Sequence, residues 1–599
     1  MIGSIASFVV IVAIVVGIVA LVSNRRRPTH EVDQGVGQVR RLYYHIIAFV
    51  ALMVSGIGAT MLVRYVVEKV ANTNLVSPSQ SQLALGMALT IVATPVWFLF
   101  WMQVLRSKRT FQVESQSLTH RFYLYVVLAI SLGVAARGGI SLLHWLFRAT
   151  PFDGDNISFP LVWGAIWLCH WLGASGEGEA PGDAGTVRRL YGYGASGMGL
   201  VLLTLGVSIL VRQLLLNAYD AAFMKQIAVH HSLWGEGTRT GLATAVVGTG
   251  IWLWHWQVVS RGDAASLLRQ IYLYLLGVLG GAATAVVSLS ILIFVLLQWL
   301  MGAPGHNGAV EQFRIVPGVI AAALAGVAVW GYHWAVIRQE APLSGGSLVA
   351  AGRVYRYLVA GLGLGALASG MVFLVAVAFQ LLVPEIRRPL AGAWWQDSLA
   401  RAITFVLIGA PLWAAYWSGA QKETREPAAR SSLVRRVFIY LVFGAAVLAS
   451  LGSFSALLFL FLQHVLQSNL TLGLLQGARW SLGILLTAGA VGTYYWLVLQ
   501  EDRRADKKLE ATEIQRQPSV RKQVIILASA NASGAVQRIE ERLGYQAARW
   551  EHLEGAGAIV EVTDDDLNRV QEELDKAPGD RALIVVEAAG IRVVAFREQ

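Results

Sequence analysis

RFYLYVVLAISLGVAARGGISLLHWLF, residues 121–147, and LVWGAIWLCHWLG, residues 161–173, decide the fold between them. The first opens on an arginine with two spaced tyrosines and then runs apolar for long enough to cross about 30 Å of hydrocarbon. The second ends on two tryptophans separated by three residues, a spacing that puts both on one face of a helix, one turn apart.

Both signatures recur along the chain. The opening reads Arg41-Leu-Tyr43-Tyr-His45, Arg121-Phe-Tyr123-Leu-Tyr125, Arg189-Leu-Tyr191-Gly-Tyr193, Arg269-Gln-Ile-Tyr272-Leu-Tyr274, Arg353-Val-Tyr355-Arg-Tyr357 and Arg436-Val-Phe438-Ile-Tyr440. The closing pairs are Trp97/Trp101, Trp167/Trp171, Trp252/Trp256, Trp330/Trp334 and Trp413/Trp417, with Gly492 before Trp496 in the last. A fixed period of this kind marks a repeat architecture, here six two-helix hairpins. Every hairpin starts and ends on the same side, so the repeats are parallel, related by pseudo-rotation about the membrane normal, singly or as four-helix modules.

Composition agrees with a membrane protein. The 599 residues are 55% hydrophobic and 14% charged, with 60 Gly and 20 Trp, and the mean hydropathy is +0.55. Gly allows close helix approach and Trp suits the headgroup boundary. The single cysteine, Cys169, excludes an internal disulfide and a thiolate metal cluster. The net charge of +11 lies in loops between apolar segments, so it reads as topology and no nucleic-acid partner is expected.

Thirteen spans are expected: an uncleaved anchor within residues 1–24, then twelve stretches near 42–67, 83–105, 122–147, 158–173, 190–216, 240–259, 271–301, 316–337, 354–383, 402–421, 437–466 and 480–499. Alternate loops carry about 21 Lys and Arg against about 11 in the other set, while acidic residues divide nearly evenly. The basic set, which includes 338–353, is therefore placed in the cytoplasm. This puts the N-terminus outside and the C-terminus inside, in the cytoplasmic membrane.

The membrane part, residues 36–500, resembles a family of uncharacterised bacterial multi-pass membrane proteins known only as a domain of unknown function, whose four-helix modules recur in tandem. The resemblance rests on the Arg-x-Tyr-x-Tyr and Trp-x-x-x-Trp signatures and implies no activity.

Beyond a charged linker at 501–519, residues 520–599 read as a small cytoplasmic domain. Strands are expected at Val524–Ala528, Tyr545–Glu551, Ala558–Val562, Leu583–Glu587 and Ile591–Phe596, with helices at Ser533–Leu543 and Asp564–Lys576. That order suggests a ferredoxin-like α/β sandwich. The turn Ser529-Ala-Asn531-Ala-Ser533-Gly534 reads as a helix cap before it reads as an anion site.

The fold class is thus an all-α polytopic bundle of repeated hairpins plus a small C-terminal α/β domain. Three histidines, His170, His255 and His333, share one place in the tryptophan signature, where Phe100, Tyr416 and Tyr495 stand in the other repeats. Belt and packing roles are favoured over proton or ligand handling, and no cofactor is expected, haem included. The layer should hold Tyr43, Tyr123, Tyr191, Tyr272, Tyr355 and Phe438 with Trp101, Trp171, Trp256, Trp334, Trp417 and Trp496. Arg137, inside a span, is the candidate for an anion or ligand. Arg64, His144 and Arg212 read as snorkelling side chains, and His230-His231 lacks further metal ligands.

No carboxylate falls mid-span, which argues against cation-coupled carriers, and no nucleophile-base pair or metalloprotease motif occurs. The favoured reading is a non-enzymatic scaffold or sensor in the lipid bilayer, with a C-terminal domain that binds a protein or small ligand. A transporter of neutral or anionic solutes and a redox or lipid-modifying enzyme are the alternatives.

Overall fold

The computed structural model describes residues 37–71, 80–178, 182–224, 233–260, 262–263, 266–302, 308–382, 394–468, 473–516, 523–551, 562–578, 581–587 and 590–596. The expected anchor, the His230-His231 loop and most of the strand expected at Ala558–Val562 lie outside these residues. The chain forms two compact units that divide between Tyr495 and Trp496.

In the first unit, whose last helix runs on into the second, the expected stretches are helical. They are α1 (Gln38–Val70), α2 (Gln80–Thr110), α3 (Leu118–Leu146), α4 (Asp155–Gly176), α5 (Gly182–Phe223), α6 (Glu236–Leu253), α7 (Leu267–Leu300), α8 (Ala309–Pro342), α9 (Ala351–Leu381), α10 (Trp394–Glu423), α11 (Leu433–Leu466) and α12 (Gly473–Arg516). Eleven of these, all but α6, are long and apolar enough to cross a membrane. Helix α6 runs directly into a π-helical segment, Trp254–Val259. The protein is a multi-pass membrane protein, and helices satisfy every backbone group within the segment, as hydrocarbon demands.

A second periodicity explains how the helices pair. Eight and fifteen residues after the first signature aromatic stand small residues: Ala51 and Gly58, Ser131 and Gly138, Gly199 and Gly206, Gly363 and Gly370, Ala446 and Ser453. A seven-residue step returns nearly to the same helix face. There the backbones nearly touch. A Cβ on Gly58 would lie 2.8 Å from the Thr90 nitrogen, on Gly138 2.7 Å from the Pro160 nitrogen, and on Gly206 2.7 Å from both the Ala245 Cα and the Gly241 carbonyl oxygen. Small residues allow this approach, which in lipid supplies the contact that a hydrophobic driving force supplies in water.

Helix α7 departs from this spacing, since its small residues, Gly281 and Ser288, come one place late. The reason is the π-helical segment Tyr272–Leu279, which absorbs one extra residue and turns Gly281 back towards α8, where a Cβ would lie 2.7 Å from the Gly326 oxygen. The same segment brings Gly277 against the His333 ring, where a Cβ would collide.

The loop expected at 338–353 is helical instead: helical backbone runs from Val316 to Leu382, with Pro342 inside it. The chain nevertheless reverses there. His333 and Tyr355, about 33 Å apart on a straight helix, lie ring to ring with Tyr272 (5.7 Å) and Tyr274 (5.6 Å), two residues apart on α7. Pro342 removes one hydrogen bond and crowds the preceding turn, and the Ser344-Gly345-Gly346-Ser347 run follows it, so the residues that permit sharp kinks stand together where the chain turns.

In the second unit β1 (Gln523–Ala528), α13 (Ser533–Leu543), β2 (Ala548–Glu551), α14 (Asp564–Lys576), β3 (Arg581–Glu587) and β4 (Gly590–Ala595) form a four-stranded sheet in the order β2-β1-β3-β4. The α/β class is as expected, but the pairing is not ferredoxin-like, because β1 is parallel to both β2 and β3. Strand positions follow from alternation, whereas partner and direction depend on where the crossovers land. Val524, Ile526, Ala582 and Ile584 bury one sheet face against Val536 and Ile539 of α13 and Leu567 and Val570 of α14. The Ser529–Ser533 turn is a 3-10 segment leading into α13.

Glu540 on α13 accepts from the backbone of Ala547 (3.2 Å) and from Arg549 (3.2 Å). The Arg549 guanidinium holds this carboxyl below the usual range. Its contribution is therefore complete above the unfolded value near 4.3 and is lost as pH falls below it. Acid titration of this domain's near-ultraviolet dichroism in the full chain should show stability falling below about pH 4.3, with a shallower fall in Glu540→Gln.

Candidate functional site

At the arginine-bearing end of the hairpins the two signatures interlock. Residues two apart on a helix point to nearly opposite sides, so each opening motif faces two ways. The first aromatic meets the histidine place of its own return helix. Tyr123 Oη is 3.4 Å from His170 Nε2, Tyr191 Oη is 3.0 Å from His255 Nε2 and Tyr355 Oη is 3.1 Å from Tyr416 Oη. Tyr272 and His333 meet at 5.7 Å, Tyr43 and Phe100 at 5.7 Å, Phe438 and Tyr495 at 6.0 Å between ring centres. The second aromatic meets the first aromatic of the next hairpin: Tyr125 and Tyr191 at 5.5 Å, Tyr193 and Tyr272 at 5.7 Å, Tyr274 and Tyr355 at 5.6 Å, Tyr357 and Phe438 at 5.1 Å. His45 takes that place in the first hairpin, 5.4 Å from Tyr123.

Tryptophans of the preceding hairpin complete four of the clusters. Trp101 packs on Tyr123 (5.4 Å), Trp171 on Tyr191 (6.5 Å), Trp256 on Tyr272 (4.8 Å) and Trp417 on Phe438 (5.7 Å). Trp167 Nε1 donates to Tyr191 Oη (2.8 Å) and Trp252 Nε1 to Tyr272 Oη (3.2 Å). In the last hairpin Phe438 has no hydroxyl, and Trp413 Nε1 donates to Tyr495 Oη (3.2 Å). Each histidine's Nδ1 is hydrogen-bonded to the carbonyl four residues earlier, at 2.9, 2.9 and 2.8 Å for His170, His255 and His333. Tyr43, Trp334 and Trp496 are exposed members of the set.

An ion pair closes each of five hairpins just beyond these rings. Arg41 Nε and Nη2 donate to Glu114 at 2.6 and 2.8 Å. Arg121 faces Glu177 (3.6 Å), Arg189 faces Asp263 (3.1 Å), Arg269 faces Glu340 (2.6 Å), and Arg356 faces Glu423. Loop acids read in aggregate carry no hint of this. The signal lies in their place, since Glu177, Asp263, Glu340 and Glu423 each follow the second tryptophan by six or seven residues. Arg269 and Arg435 also lie over the tryptophan rings, 4.3 Å from Trp256 and 5.6 Å from Trp417.

The first two hairpins add a polar chain. His45 Nδ1 is hydrogen-bonded to the Arg41 carbonyl (2.8 Å), His45 Nε2 to His120 Nδ1 (3.1 Å), and His120 Nε2 to Glu177 Oε1 (2.8 Å). Lys108 pairs with the same oxygen. Burial alone would push the Glu177 carboxyl up, but hydrogen bonds from His120 and Lys108 outweigh it and hold it below the usual range, so it is ionised.

Beside this chain a cavity of about 520 Å³ lies between α2 and α4, floored by α1 and Leu124 of α3, and it contains His170, Lys108 and Glu177 in its wall. A second, of about 540 Å³, lies at the far end between α1, Trp145, Phe152 and Ile157. Arg137 lies apart from both, exposed on α3, where its charge acts on Asp155 at the start of α4. Arg64 is engaged by Glu68 (2.7 Å), Asp153 (3.3 Å) and Asp155 (3.1 Å). Arg212 packs beside Gly318. Among the described residues no group of three His, Cys, Asp or Glu is placed to hold a metal ion.

Neither a curated protein nor a solved structure matches the chain. The model of the Domain of unknown function DUF5671 matches four times, over residues 41–150, 121–233, 220–332 and 353–490. Three of these matches begin on a signature arginine, Arg41, Arg121 or Arg353, and each match is longer than one hairpin, the first two sharing the opening helix at 121–150. The chain belongs to the DUF5671 family, whose domain it repeats in tandem through its membrane-spanning part.

Proposed function

We propose that the protein is a non-enzymatic membrane scaffold, with its N-terminus outside, in which the hairpin array carries a cytoplasmic α/β domain that docks a partner or small ligand. One observation carries the reading. Two of the three repeat histidines are occupied in holding hairpins together: both ring nitrogens of His170 and His255 are hydrogen-bonded within the cluster, which leaves neither ring an open position for haem iron. Among the described residues His333 is hydrogen-bonded through Nδ1 alone. Tyr416 and Tyr495 do the same packing in the later hairpins and Phe100 does it in the first without a polar edge, so the place needs a ring. A solute path through Arg137 has less support, because that residue lines neither large cavity.

The test is the double substitution His170→Tyr with His255→Tyr. A scaffold keeps its fold, with a stability change below about 2 kcal/mol, and vesicles carrying either protein hold a pH gradient equally long. Faster decay of the gradient with the wild type than with the double variant, or a Soret band in the purified wild type, would overturn the proposal.

A further inference from the structure

We infer that the two ends of the hairpin array are the two halves of one further joint, and that the last hairpin of one chain docks the first hairpin of a second copy, head to tail. The contact goes beyond the scaffold reading and does not depend on it.

The joints inside the chain define the fit. At each, the second aromatic of one hairpin, or His45, packs on the first aromatic of the next. Seven residues further along the same helix stands a leucine in four hairpins, Leu52, Leu132, Leu200 or Leu364, and a step of seven keeps both side chains on one face. Tyr125, Tyr193, Tyr274 and Tyr357 are 8% exposed or less, and so are the four leucines. Four residues after the aromatic, a glycine makes room for the neighbour in two hairpins. A Cβ on Gly197 would lie 2.8 Å from Leu276 Cδ1, and one on Gly361 3.2 Å from Phe438 Cε2, each a side chain of the next hairpin.

The last hairpin repeats this strip on α11, with no hairpin after it. There Tyr440 is 51% exposed and Val447 40%, and among the described residues nothing lies within 4 Å of a Cβ on Gly444. The array begins with the other half. Tyr43 stands in the place of Tyr123, Tyr191, Tyr272 and Tyr355, which are 6% exposed or less, yet it is 53% exposed. One end thus offers a notched aromatic strip, and the other offers the ring that such a strip covers. Both belong to the signature at the arginine-bearing end of the hairpins, so a second copy inserted the same way round presents them at the same depth. Lipid can wet either face, but a second copy fills both with the contacts of an interior joint. The two surfaces differ, so the contact is heterologous, and copies close into a ring or run on in a row.

The full chain with Cys169→Ala, which removes the single native thiol, is made with Tyr43→Cys and, separately and under a second tag, with Tyr440→Cys. The two are reconstituted together in phosphatidylcholine vesicles and treated with a short bismaleimide. The mixture should give a cross-linked dimer carrying both tags, about fivefold or more above the dimer that either variant gives alone. Adding Gly444→Trp to the Tyr440→Cys chain, at a place where its own fold leaves room, should cut that yield about fivefold by filling the notch. No excess in the mixture, or an equal yield with Gly444→Trp, would overturn the proposal. So would single variants that cross-link as well as the mixture, which mark a symmetric contact or chance collision. Cross-linking that appears only once residues 1–24 are removed would overturn it too, and would assign the Tyr43 end to that segment.

Discussion

Glu114→Ala is expected to destabilise the membrane unit by about 3–5 kcal/mol, the cost of removing one partner from a buried ion pair. The arginine and glutamate side chains are 9% and 4% exposed, and the carboxylate takes both a 2.6 Å and a 2.8 Å hydrogen bond from Arg41. Removing it leaves the guanidinium without its bidentate partner in a place that water reaches poorly. Two comparisons separate this cause from general damage. Arg41→Met with Glu114→Leu removes both charges together and should recover most of the loss, since apolar replacements of a buried pair are often neutral. Arg189→Ala, whose side chain is 49% exposed opposite Asp263, should cost no more than about 1 kcal/mol. Thermal unfolding in a fixed detergent measures all three. Equal losses for Glu114→Ala and Arg189→Ala would mean that burial of the pair is not what matters.

Gly206→Val should be at least as damaging, with a loss of about 3 kcal/mol or more, or failure to insert as a monodisperse protein. Its Cβ would sit 2.7 Å from the Ala245 Cα and from the Gly241 carbonyl oxygen, both backbone atoms that a rotamer change cannot move. Helices α5 and α6 would have to separate along their length, losing the contacts that hold a hairpin together in lipid. Gly194→Val, on the same helix with open space around its Cβ, is the control and should cost about 1 kcal/mol or less. Similar losses at the two positions would show that helix propensity, not backbone contact, explains the glycine.

Much of the architecture was legible from residue patterns. Apolar runs bounded by Arg-x-Tyr-x-Tyr and Trp-x-x-x-Trp define hairpins because hydrocarbon permits only helices and because amphipathic rings prefer the headgroup boundary. The ion pairs were harder to see. Glu177 and Asp263 stand in polar loops where a solvated acid is the ordinary expectation, and only the fold shows an arginine opposite each. Arg137 illustrates the converse: counting residues along α3 places it inside a span, but only the packing of α4 alongside shows its side chain exposed and acting on Asp155.

By itself the sequence determined the helices, their repeat and the strands of the C-terminal domain, since each follows from periodicity along the chain and the solvent it meets. The tertiary structure decided everything that depends on which surfaces face each other. It set the direction of β1 against its neighbours, the reversal within the helix that contains Pro342, the π segment that restores Gly281 to its contact, and the closure of Glu177 over an apolar cavity. These are relations between residues roughly 10–100 positions apart, and no local propensity encodes them, because their energy arises only once the backbones approach.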